Sequence, residues 1–155
     1  MKQFLLGTFL PALIIPTLSQ AQTKQLTEQL GRTVLYCDVA LSPDGSRVAW
    51  VQSTAATTPK QIYIRSTTGD APAIPIDLKT SGGERIDADP AWSPDSKMLA
   101  LFSDADEKDQ KQLWTLSADG SNPKKLTHLK GYAARPRWSH DGRRIAVLYL
   151  SLIHI

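Results

Sequence analysis

The sequence predicts an all-β chain assembled from repeated four-stranded antiparallel units, and three observations carry that prediction. A short phrase recurs: Leu41-Ser42-Pro43-Asp44-Gly45, Trp92-Ser93-Pro94-Asp95-Ser96 and Trp138-Ser139-His140-Asp141-Gly142. Its serines stand 51 and then 46 residues apart, a period typical of repeat architectures whose units cannot bury their apolar faces alone. Each copy also follows a β-prone run and precedes a basic residue with an apolar stretch, as in Arg47-Val48-Ala49-Trp50 and Arg144-Ile145-Ala146-Val147. No 3.6-residue apolar period runs through any unit, which excludes the helical repeats of similar length.

Aligning the copies defines each element in turn. The first strand covers residues 36–41, with equivalents at 87–92 and 133–138. The Ser-Pro-Asp-Gly phrase then supplies a type I turn, with Pro at its second position and Gly at its fourth. Its aspartate caps nearby backbone amides, so the regular placement of Asp44, Asp95 and Asp141 reads as turn geometry, not catalysis. The second strand covers 47–53, 97–103 and 144–149, and its high apolar content predicts burial on both faces. A third strand follows at 61–65 and 112–116. A weaker fourth follows at 74–76 and 124–127, where Pro72, Pro75 and Pro123 suit an outer edge that lacks some amide donors. The polar stretches 54–59 and 104–110 read as solvent loops. Residues 25–30, followed by Gly31, are the one helix-compatible segment.

Four antiparallel strands per unit of this length describe the blade of a β-propeller. Closed propellers have about 4–8 blades. Here two full blades, 36–79 and 86–129, precede the start of a third at 132–149, so the fold class is an incomplete β-propeller. The outer faces of the first and last blades are expected to stay uncovered, with open strand edges.

The termini read differently from the repeats. Lys2, an apolar run over 4–18 and the small residues Ser19-Gln20-Ala21 have the layout of a secretory signal peptide over 1–21. The alternative is a retained anchor, but Gly7, Pro11 and Pro16 interrupt a run shorter than a spanning helix requires. An exported protein, periplasmic or extracellular and free of the membrane after cleavage, is therefore expected, with 22–35 as a lead-in. Residues 150–155, Leu-Ser-Leu-Ile-His-Ile, break the repeat and resemble the translation of a sequencing-adaptor end. They are expected to be a non-native tail, which leaves His154 without a role.

Little in the chain carries chemistry. A net charge of +3 with only isolated basic pairs, Lys124-Lys125 and Arg143-Arg144, gives no nucleic-acid surface. The single cysteine, Cys37, cannot form an intramolecular disulfide and reads as a buried strand residue. No G-x-S-x-G elbow is present. His128 and His140 have no partnered nucleophile in sequence and read as surface or turn residues. The acidic run Asp104-Ala105-Asp106-Glu107-Lys108-Asp109 lacks the glycine and final glutamate of a calcium-binding EF-hand loop and reads as solvated. Trp50, Trp92, Trp114 and Trp138 all fall on predicted strands and read as packing between blades. The expectation is no catalytic, cofactor or metal residue in this chain.

The run Ala40-Leu41-Ser42-Pro43-Asp44-Gly45-Ser46-Arg47-Val48-Ala49-Trp50 resembles the opening blade of exported bacterial serine peptidases of the prolyl oligopeptidase family. The resemblance covers about residues 24–149. It implies a propeller that gates and orients short peptides above a downstream α/β-hydrolase domain, which holds the Ser, Asp and His triad and is missing here. Peptide substrate would then be met through that missing domain, by acyl transfer through a serine with a histidine base and an oxyanion hole. The paired glutamates that grip a substrate amino terminus in some members have no match, since Glu28, Glu84 and Glu107 each stand alone. The alternative is a non-enzymatic periplasmic Tol-type binding propeller, which carries a sizeable α/β domain before its blades. A third is another exported hydrolase, such as an amidohydrolase, behind the same propeller.

Overall fold

The computed structural model describes residues 34–53, 60–80 and 84–151. The signal-peptide assignment, the helix-compatible segment 25–30, the loop 54–59 and His154 lie outside the described residues. Ten strands form three antiparallel sheets. The first holds β1 (Leu35–Leu41), β2 (Arg47–Ser53), β3 (Gln61–Ser66) and β4 (Ile74–Pro75) in sequence order. The second repeats that order with β5 (Asp87–Trp92), β6 (Met98–Ser103), β7 (Gln112–Ser117) and β8 (Lys124–Lys125). The third is the hairpin β9 (Gly131–Trp138) and β10 (Ile145–Ser151). This is the all-β incomplete propeller that the repeats imply.

Strand limits differ slightly from expectation. The fourth strands are only two residues long, because Pro75 and Pro123 remove donors from the outer edge. Strand β10 runs on through Leu150 and Ser151, which pair with Tyr132 and Gly131, so the first two residues of the expected tail continue the ladder.

Burial on both faces holds for the middle blade alone. Every residue of β6 from Leu99 to Ser103 is buried, whereas β2 alternates. The cause is neighbourhood. One apolar core joins Ala49, Val51, Ile62 and Ile64 of the first blade to Leu99, Leu101, Trp114 and Leu116 of the second. A second core joins Ala100, Phe102 and Leu113 to Ala133 of the third. Nothing described covers the other face of the first blade, where Trp50 stacks on Tyr63 with centroids 5.9 Å apart.

Two tryptophans fasten the blades. The indole N–H of Trp92 donates to the Ala40 carbonyl of the first blade at 3.0 Å, and Trp138 donates to Ala91 of the second at 2.9 Å. Both donors and both acceptors occupy equivalent repeat positions, so each clip adds a directional bond to a greasy interface. The first blade carries Leu41 at the tryptophan position, and it is 62% exposed.

Blade 1 also leans on blade 2 for its backbone bonding. Strand β4 ends before it can take the Ile62 amide, which instead donates to the Asp87 carboxylate at 3.1 Å. Asp87 is fully buried and paired with Arg85 at 3.0 Å, and Arg85 also donates to the Ile76 carbonyl. The equivalent Leu113 amide in blade 2 donates to its own Thr127 hydroxyl at 2.9 Å. Asp87→Ala takes the carboxylate from the half-buried Arg85 guanidinium and leaves the buried Ile62 amide without an acceptor, so it is expected to cost about 3 kcal/mol in urea denaturation. Trp92→Phe is expected to cost about 1–2 kcal/mol in the same measurement, whereas Leu41→Phe, with no clip to lose, should be close to neutral.

Candidate functional site

Strands β1, β5 and β9 lie side by side. With the turns that follow them they line an open cleft of about 720 Å³ on the side that faces a propeller's axis. Its walls include Asp38, Asp89, Trp92, Arg135, Arg137 and His140.

The shape of the cleft comes from one irregularity repeated three times. Register slips between Cys37 and Ala40, between Ala88 and Ala91, and opposite Ala146 and Leu148. At each slip a non-glycine residue adopts left-handed geometry: Asp38 at φ 49°, Asp89 at 53° and Arg135 at 55°. Such β-bulges bend a strand and re-aim its side chains. Aspartate tolerates this backbone region, while arginine rarely adopts it. The bulge also links blades, because the Arg135 amide donates to the Asp89 carboxylate at 3.2 Å.

The turns at the rim are copies of one network. In each, the serine hydroxyl donates to the aspartate carboxylate: Ser42 to Asp44 at 2.6 Å, Ser93 to Asp95 at 2.6 Å and Ser139 to Asp141 at 2.5 Å. The same hydroxyl accepts the amide five residues on, from Arg47, Met98 and Arg144. The fourth turn residue has positive φ in every copy, by glycine at Gly45 and Gly142 but by Ser96 at 60° in the second. Ser96 offsets that strain by accepting the Asp44 amide from the neighbouring turn at 3.1 Å. These three carboxylates are therefore occupied by their own turns. The serine hydroxyl, foremost, and the backbone amide two residues on hold each below the ordinary carboxylate value.

The remaining candidates separate clearly. His140 reaches the cleft, whereas His128 is exposed beyond β8. Cys37 is half-buried, not fully buried, because it packs at the edge of the first core. The acidic run is less solvated than expected. Asp104 is buried and accepts the Ile86 amide at 2.6 Å and the Asp109 amide at 3.3 Å, and Asp106 pairs with Lys125. Its charges serve loop closure. Among the described residues no group of three His, Cys, Asp or Glu side chains could hold a metal ion. Sequence reasoning missed Asp87, whose burial pushes its carboxyl up against the opposing pull of Arg85. It also missed the bulge, although Pro90 and Pro136 inside first strands were a readable sign of one.

Folded-state values below the unfolded value of 3.8 fix the sign of one pH effect. Each turn aspartate contributes stability that is complete above that value and lost as pH falls below it toward the folded value. Asp95→Asn is thus expected to lower the thermal midpoint at pH 7 and to lose less than the parent on acidification to pH 3, as followed by circular dichroism.

Comparison with known proteins places these features. No family model matches the chain. Over 120 residues it is 36% identical to the uncharacterized peptidase YuxL of Bacillus subtilis (strain 168), an alignment that covers 74% of this chain and 17% of that protein. A TolB structure from Agrobacterium tumefaciens superposes with a TM-score of 0.58 at 19% identity, over 77% of this chain and 39% of that one. The β-propeller domain of the trilobed protease from Pyrococcus furiosus, described as having an open velcro topology, superposes at 0.56 with 22% identity, over 74% and 34%. The structural likenesses establish the fold, and the Bacillus relative supplies the sequence kinship. The chain is an incomplete β-propeller of the peptidase kind, matching a limited part of the longer peptidase it resembles.

Proposed function

We propose that this chain is the propeller part of an exported serine peptidase of the prolyl oligopeptidase family, where it gates and orients short peptides for a hydrolase domain elsewhere in the protein. The observation that carries this reading is the 36% identity to a peptidase over 120 residues, 74% of this chain. The axial cleft is consistent with it, since inner strands that line a passage decide what can approach a site above the ring. Export rests on the signal-peptide layout of residues 1–21. In this reading the hydrolytic serine, histidine and aspartate belong to the α/β-hydrolase domain that the family resemblance places after the propeller.

The test is an assay of the whole secreted protein against chromogenic dipeptides and tripeptides and against casein. Short peptides are expected to be cleaved, casein spared, and cleavage abolished by a serine-directed phosphonate. Absence of any hydrolysis, with stable retention of a periplasmic partner instead, overturns the reading in favour of a Tol-type binding propeller.

A further inference from the structure

The third blade departs from its own repeat at three positions, and all three departures line the axial cleft. Where the first two blades place Asp38 and Asp89 at the bulge, the third places Arg135. Where they place Ala40 and Ala91, it places Arg137, and where they place Pro43 and Pro94, it places His140. Each change replaces an acidic or neutral side chain with a basic one. One lip of the cleft thereby becomes cationic while the neighbouring lips keep their carboxylates.

Packing does not account for these changes. Aspartate at the bulge has a structural use, because Asp89 accepts the next blade's bulge amide. Arginine has no acceptor and cannot make that bond, yet Arg135 bears the strain of φ 55°. Arg135 and Arg137 are both exposed. The two ion pairs among the described residues, Arg85 with Asp87 and Lys125 with Asp106, involve neither of them. The Arg135 amide is held by Asp89, and the bulge secured by that bond places the Arg135 side chain at the cleft beside Arg137.

We infer that Arg135 and Arg137, with His140 beside them at the rim, form a carboxylate-binding lip that anchors a peptide in the axial cleft. Two planar guanidinium groups suit the bidentate geometry of a carboxylate. The Asp38 and Asp89 wall opposes any ligand carrying more than a localised negative charge, which favours a peptide over a polyanion. The peptide as ligand rests on the function proposed above. The carboxylate chemistry rests only on these residues.

Isothermal titration of the full chain reads binding without requiring hydrolysis, so failure here and failure of the peptidase reading are separately visible. The probes are acetyl-trialanine with a free carboxylate, its carboxamide, acetyl-Ala-Glu-Ala-carboxamide and inorganic phosphate. The free acid is expected to bind at least about tenfold more tightly than the carboxamide. Recovery with the glutamate peptide extends the site to acidic side chains, and no recovery confines it to peptide carboxy termini; either result supports the lip. Arg135→Asp and Arg137→Ala restore the residues that the other blades carry at these positions. They are expected to keep the circular dichroism spectrum while abolishing the preference for the free acid. Equal binding of acid and carboxamide, an unchanged preference in both variants, or tighter binding of phosphate than of the free acid overturns the inference.

Discussion

Each sheet in this protein has an apolar face that only a neighbouring sheet can cover. That constraint decides almost everything else about the chain. It explains why β6 is buried throughout while β2, built from an equivalent sequence, alternates. Apolar packing alone would let blades slide, since dispersion and solvent exclusion are non-directional. The tryptophan clips to Ala40 and Ala91 remove that freedom, fixing the height of each blade against the last. The bulge then sets what faces the axis, and the serine–aspartate turn sets where each hairpin reverses.

Much of this could be read from the repeat. The turn phrase located the first two strands of every blade because its hydrogen bonds are local: serine to aspartate, and amide to serine within five residues. The placement of Trp92 and Trp138 pointed to blade packing, and the core confirms it. Asp87 was invisible for the opposite reason. Its partners include the Ile62 amide, 25 residues away on another sheet, and a lone aspartate in a strand gives no sign of such a partner. Asp104 was misread as solvated because charge in a polar stretch usually means exposure, whereas here it closes the loop on Ile86 and Asp109. The cationic lip needed both sources. Sequence supplies the broken repeat, and only the bulge shows that the broken positions share one cleft.

The first blade is the odd member of the set in its own way. It has Leu41 where the others have tryptophan, and Arg65 where the second blade has the buried Leu116. The face it turns outward is therefore more polar than the equivalent face of blade 2, with the Trp50 and Tyr63 rings stacked on each other in place of a neighbour's side chains. A surface of that composition tolerates water better than Leu99 and Leu101 would, and any blade that meets it must do so without the indole bond used at the other junctions.

The two ways of satisfying equivalent amides, Ile62 by Asp87 of the following blade and Leu113 by Thr127 of its own, impose an order on assembly. Blade 2 completes its outer margin from its own residues once Thr127 is in place. Blade 1 completes the equivalent margin only when Asp87 of the following blade is docked against it. The first sheet is thus a finished unit only in company with the second.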